Sequence, residues 1–258
     1  MLARREVMKR FAAAPVAVGS LAAVLANPDA ARAAASSLET VTIATASGRQ
    51  ISAAWGAPTA APAPSVVLVH EWWGLNDYIK SVAADFVARG YGALAIDLYG
   101  GQVATTPDEA KTYMQGIQND EAMETCGAWI DWLRAREDGT GAVGTVGWCF
   151  GGGWSLNASL VRPVQATVIY YGNVERSAQE LAPLAGPVQG HFGLKDARIN
   201  EEMVSGFEEA LEEAGKTYEI YWYDADHAFA NPTGARYDEA DAALAWERTT
   251  AFLEANLA

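Results

Sequence analysis

The segment Gly147-Trp148-Cys149-Phe150-Gly151 constrains this chain more than any other stretch. The residues before it, 142–146 (Ala-Val-Gly-Thr-Val), read as a short buried strand, and 152–162 after it read as a helix. A glycine on each side lets the backbone turn sharply between strand and helix and approach its neighbours closely, which raises the central side chain out of the turn. A strand–turn–helix of this type presents a nucleophile, and here a cysteine stands where serine is commoner. The helix N-terminus behind Cys149 favours thiolate over thiol. The alternative is a glycine-rich turn around an inert, buried cysteine.

The chain surrounding this turn alternates in period. Apolar strand-like runs are expected at 39–44, 50–56, 66–70, 93–96, 142–147, 166–170, 188–192 and 217–223. Helical patterns are expected at 79–89, 107–118, 121–136, 152–161, 201–214 and 238–256. The first two strands form a hairpin around Ser47-Gly48, and 57–64, with three prolines, is a loop. Alternation from residue 65 onward predicts an α/β fold: a mostly parallel central sheet with helices on both faces. Val66-Val67-Leu68-Val69 is apolar at every position, as burial on both faces requires. With 258 residues, half of them hydrophobic, 34–258 is read as one domain.

Residues 1–33 read as an export signal. Arg4-Arg5 precedes an apolar run over 11–26, and Ala31-Arg32-Ala33 resembles a small-residue cleavage site. Paired arginines before a modestly apolar run resemble a twin-arginine signal, so a periplasmic or secreted bacterial protein is expected. The run is short for a bilayer span and is interrupted by Pro15 and Gly19, which argues against a membrane anchor. Cutting after Ala33 removes five basic and two acidic residues and takes the net charge from −14 to −17. Such a body repels nucleic acid and gains nothing on an anionic membrane. A monomer acting on a small molecule is expected. The two cysteines, Cys126 and Cys149, pair only if the helical segment holding Cys126 reaches the turn.

In a mostly parallel sheet, ligands collect beyond the carboxyl ends of the strands. The residues there are Glu71, Asp97, Cys149, Tyr171, Asp196 and His227. Nucleophile, acid, histidine is a recurrent chain order of catalytic triads: the imidazole takes the nucleophile's proton and the acid fixes its tautomer. His227 lies in the loop Asp224-Ala225-Asp226-His227, and its bland alternative is a solvated loop histidine. Asp196 is the favoured acid because it follows a separate strand, with Asp224 and Asp226 as competitors. His70 and His191 fit hydrogen-bonded core positions better than ligand positions, and no spacing among His70, Glu71 and His191 supports a metal site. The glycine-rich turn lacks the G-K-[ST] ending of a phosphate loop. No metal or cofactor is expected.

The sequence resembles the dienelactone hydrolase family of the α/β-hydrolase superfamily over nearly all of the chain after the leader. The resemblance rests on His70-Glu71-Trp72-Trp73-Gly74-Leu75-Asn76, Ala95-Ile96-Asp97-Leu98-Tyr99, Gly147-Trp148-Cys149-Phe150-Gly151-Gly152, Tyr170-Tyr171-Gly172, His191-Phe192-Gly193 with Asp196, and His227-Ala228-Phe229-Ala230-Asn231. It implies a carboxylic ester or lactone hydrolase with Cys149 as nucleophile, Asp196 and His227 completing a triad, and Glu71 beside the cysteine. By analogy with the fold, the backbone N–H groups of Phe150 and Trp72 form the oxyanion hole. The family's carboxylate-binding arginines have no match: Gly100 or Gly101 and Asn231 stand there, with Arg198 and Arg236 as conceivable substitutes. A substrate less polar than dienelactone is therefore expected. Trp73, Tyr99, Trp148, Tyr171 and Phe229 are candidates for the pocket wall, and such aromatics are equally suited to the core. Hydrolysis of a thioester or small amide, or a non-catalytic binding protein on the same scaffold, are the other readings.

Overall fold

The computed structural model describes residues 28–258. The twin arginines and the apolar run over 11–26 lie outside the described residues. Eight strands form one sheet: β1 (Glu39–Ala44), β2 (Gln50–Gly56), β3 (Ala63–Val69), β4 (Gly92–Ile96), β5 (Gly139–Trp148), β6 (Ala166–Tyr170), β7 (Val188–Gly193) and β8 (Tyr218–Tyr223). Their order is β1-β2-β4-β3-β5-β6-β7-β8. β2 pairs antiparallel with both β1 and β4, and every pair from β4 to β8 is parallel. This is the α/β architecture that the alternating pattern implies.

Eight helices accompany the sheet among the described residues: α1 (Pro28–Ala35), α2 (Asp77–Ala88), α3 (Pro107–Gly116), α4 (Asn119–Arg134), α5 (Phe150–Val161), α6 (Ala178–Leu181), α7 (Glu201–Glu213) and α8 (Glu239–Leu257). Local chemistry sets their starts. Asn76 caps α2 by accepting from the Ile79 N–H, and Thr106 with Glu109 forms a capping box on α3. Asn200 and Asp238 cap α7 and α8 in the same way. Along α2, Tyr78, Ile79, Val82, Ala83 and Phe86 are buried at helical spacing, so one stripe faces the core.

Two elements depart from the sequence reading. α1 runs through the expected cleavage site, with Ala31 and Ala35 buried and the helix packed on α2. α6 is a four-residue turn capped by Ser177 and Glu180, too short to leave a period in the sequence. No described helix is long and apolar enough to cross a membrane.

The core lies on both faces of the sheet. Val66 and Leu68 point into one cluster with Phe86, Trp148 and Phe252, whereas Val67 and Val69 point into another with Trp55, Trp129 and Ile130. Opposite faces for alternate residues follow from the strand period of two. Register then fixes where the strands stop: Val69 pairs with Gly147, Trp148 with Tyr170, and Gly193 with Tyr223. The parallel strands therefore end along one edge, and the residues just past those ends share it.

Candidate active site

Cys149 sits between β5 and α5 with φ 56° and ψ −117°. That conformation costs a non-glycine residue about 1–3 kcal/mol and persists only where its surroundings dictate it. They do so here. The Cys149 N–H donates to the Tyr170 carbonyl at 3.0 Å, and its carbonyl accepts from the Gly152 N–H at 3.0 Å. A Cβ on Gly147 would lie 1.9 Å from the Gly151 carbonyl oxygen, and one on Gly151 would lie 2.2 Å from that of Val69. The two glycines are thus fixed by backbone crowding. The only other described non-glycine residues with positive φ are Tyr171 and Ala228, one just after β6 and the other beside His227. All three gather at the same edge of the sheet.

The loop after β8 brings His227 to this turn. Its Nε2 lies 3.1 Å from the Cys149 sulfur, and its Nδ1 lies 2.6 Å from Asp196 Oδ2. A carboxylate only accepts, so Nδ1 carries the proton and Nε2 is left to accept from the thiol. Asp196 is held in turn, since its Oδ1 accepts from the N–H groups of Arg198 and Ile199 at 2.9 and 3.1 Å. Burial alone would raise its pKa, but the His227 and backbone hydrogen bonds outweigh that and hold it below the usual range. Asp224 and Asp226 do not take this place. The Asp224 carboxylate pairs with Lys195 at 3.1 Å, and Asp226 is exposed.

Burial pushes the Cys149 thiol up to about 12, and the nearby Glu71 carboxylate adds to that. Opposing this, in decreasing order, are the backbone N–H of Phe150, the charge of Arg198 and the backbone N–H of Trp72. The sulfur is therefore a protonated thiol whose one hydrogen-bond partner among the described residues is His227.

Glu71 is 2% exposed and borders the same space. Its Oε2 accepts a short hydrogen bond from the Asn231 side chain, while its Oε1 has no partner. Burial raises its pKa to about 7, against opposing effects of the Asn231 hydrogen bond and the more distant Arg236. No described cation forms an ion pair with it, so a neutral amide carries the contact.

A family model described as the dienelactone hydrolase family matches residues 51–257. The chain belongs to the dienelactone hydrolase family. It is 28% identical over 223 residues to carboxymethylenebutenolidase 1 of Cupriavidus pinatubonensis, covering 83% of this chain and 95% of that one. It is likewise 28% identical over 230 residues to the carboxymethylenebutenolidase of Pseudomonas putida, covering 83% and 95%. Among solved structures, a dienelactone hydrolase-like promiscuous phosphotriesterase, P91 from metagenomic libraries, superimposes with a TM-score of 0.77 at 21% identity, covering 86% of this chain and all of that one. That last likeness speaks to fold alone.

Within this dienelactone hydrolase scaffold the aromatic candidates separate. Trp148 is 2% exposed and stacks on Tyr170, so its side chain goes to the core while the next residue carries the sulfur. Phe229 is also fully buried, packed on Tyr171 and Tyr223. Tyr171 is buried with its ring 5.2 Å from that of His227 and its hydroxyl unpartnered. Tyr99 packs on His70 and Phe150, also with a free hydroxyl. Trp73 is half-buried against Trp72. Asp97 builds the loop: its carboxylate accepts from the Tyr99 N–H at 2.8 Å and from the Gly101 N–H. Asn231 was legible in sequence only as a missing arginine, because its bond to Glu71 spans 160 positions. Cys126 is fully buried in α4 and unpaired, its thiol raised to about 12 by burial.

Proposed function

We propose that this dienelactone hydrolase family member cleaves a carboxylic ester or lactone through a Cys149–His227–Asp196 triad and a thioester acyl-enzyme. The observation that carries the reading is the continuous line of contacts from the sulfur to Nε2 at 3.1 Å and from Nδ1 to the carboxylate at 2.6 Å. With the thiol raised to about 12, little thiolate stands free at neutral pH, so the proton must leave as the bond forms. His227 Nε2 takes it while the sulfur attacks the substrate carbonyl, and Asp196 stabilises the imidazolium. The Phe150 and Trp72 N–H groups, which favour the thiolate, receive the oxyanion. Collapse expels the alkoxide, protonated by His227. Water activated by the same imidazole then hydrolyses the thioester and returns the thiol.

Glu71 modulates the thiol: as its carboxyl ionises, its charge opposes thiolate formation. A resting thiol resists oxidation, which suits a protein exported by the leader that Arg4-Arg5 opens. A neutral ester or lactone is the substrate that Asn231 fits: its amide N–H is given to Glu71, where a guanidinium would be free to bind a carboxylate. Arg198 and Arg236, whose charges act on Cys149 and Glu71, are the cations that a carboxylate-bearing ester would need instead.

Pre-steady-state kinetics with a nitrophenyl ester test the reading. A burst of nitrophenolate equal to the enzyme concentration is expected, lost in Cys149→Ala and His227→Ala. Absence of any burst or turnover across an ester and lactone panel would refute it.

A further inference from the structure

We propose that His70 is a positioning residue for the oxyanion site: its ring grips the carbonyl of the Glu71–Trp72 peptide and so aims the Trp72 N–H at the oxyanion formed beside Cys149. This rests on the hydrolytic reading of Cys149.

His70 follows β3 directly, and its ring is fully buried. Nδ1 lies 2.6 Å from the Glu71 carbonyl oxygen, and Nε2 accepts from the Leu98 N–H at 3.2 Å. Both partners have fixed roles, since a carbonyl only accepts and a backbone N–H only donates. The imidazole is therefore neutral, with its proton on Nδ1. Burial lowers its pKa and keeps it neutral. The ring also lies against Phe150, centroids 5.8 Å apart and planes at 23°, and against Tyr99 at 4.7 Å.

What makes this more than core packing is which carbonyl it holds. The Glu71 C=O and the Trp72 N–H belong to one peptide unit, and in a trans peptide the two point in opposite directions. The peptide is trans, because the only described cis bond is Ala61–Pro62. Fixing the oxygen on His70 fixes the N–H on the other side, the side of the Cys149 sulfur whose thiolate it favours. Hydrogen bonding to the oxygen also polarises the unit and strengthens its donor, by about 10–30%. The Gly74 N–H also donates to the Glu71 oxygen, at 3.2 Å, but the His70 contact is the shorter; without it only this longer bond restrains the plane, and the aim of the donor loosens. Through the Leu98 N–H, the ring ties this peptide to the loop that follows β4. One imidazole thereby sets the Trp72 donor and packs on Phe150, the residue that supplies the other.

Three variants separate positioning from bulk stability. Asn places its amide N–H where Nδ1 sits and keeps the grip on the Glu71 oxygen. Gln reaches instead toward the Leu98 side, and Leu does neither. With a nitrophenyl ester, kcat of His70→Leu and His70→Gln is expected to fall on the order of tenfold to a hundredfold with KM nearly unchanged, below the loss reserved for a deleted donor. His70→Asn is expected to stay within about threefold of wild type. Alkylation of Cys149 by iodoacetamide develops no oxyanion and feels the Trp72 N–H only through the thiolate, to which it contributes least, so its rate is expected to fall less than about threefold in all three. Equal kcat in all variants, or matching losses of ester turnover and alkylation, overturns the proposal. Should a variant fail to fold, long-range 15N spectra of the wild type decide. With three histidines in the chain, assignment is tractable, and His70 is expected to be protonated at Nδ1; a proton on Nε2 overturns the proposal. Loss of all turnover in wild type would sink the hydrolytic reading itself, whereas an active wild type with a flat His70 series sinks only this one.

Discussion

Glu71 carries a measurable energetic consequence. A carboxyl that titrates near 7 in the folded protein, against its ordinary 4.5, keeps its proton while the unfolded chain has released its own. Over that interval the unfolded state binds fewer protons, so stability falls as pH rises and the full cost is present above about 7. At about 1.4 kcal/mol per pH unit, an ionised Glu71 destabilises the fold by about 3 kcal/mol. Glu71→Gln removes the titration but keeps an acceptor for Asn231. The variant is therefore expected to gain on wild type as pH rises. The sequence isoelectric point of about 4.6 makes the lower end of the window unsuitable for solution work. Urea unfolding at about pH 5.5 and about pH 8 samples most of it, and the variant's advantage should grow by about 2 kcal/mol between them. The groups that face Glu71 do not blur this difference. Tyr78 and Tyr171 are raised by burial and Cys149 to about 12, so all three stay protonated across the window. An advantage independent of pH, or one shrinking with pH, would refute the reasoning.

Removing the Glu71 charge also relieves the thiol, so Glu71→Gln should be alkylated by iodoacetamide faster than wild type at about pH 8.5, as thiolate-limited reaction requires. Asn231→Leu strips the one hydrogen bond that the Glu71 carboxylate makes among the described residues; a stability–pH profile should then show the carboxyl ionising above 7 rather than near it. Asp196→Asn leaves the loop intact but abolishes the acceptor that fixes the His227 tautomer, and kcat on a nitrophenyl ester should fall about 10³–10⁴-fold. Gly151→Ala drives a methyl group to 2.2 and 2.5 Å from the Val69 and His70 carbonyl oxygens; thermal unfolding should report a loss of about 1–3 kcal/mol, together with reduced turnover as the turn shifts.

The parallel half of the sheet was readable because its strands are apolar at every position and separated by helices with a 3.6 period. Cys149, Asp196 and His227 were readable because each follows a strand, and parallel strands end on one edge whatever their separation along the chain. What escaped the sequence lacks a period or acts over distance. The direction of the Trp148 side chain was not deducible, because the turn puts neighbouring residues on opposite sides of the backbone. The link from Asn231 to Glu71 joins two loops, and a short polar side chain announces no partner. His70 reads from sequence as a hydrogen-bonded core residue, and only the folded structure shows that its partner is the carbonyl of the peptide bearing the Trp72 N–H.

The most direct test of the central claim is intact-protein and peptide mass spectrometry after rapid acid quenching of a reaction with a slowly deacylating nitrophenyl ester. One acyl group per chain, on the peptide containing Cys149 and absent from Cys149→Ala, is the predicted result. Full turnover with no adduct on that cysteine, or an adduct that survives in Cys149→Ala, would contradict it.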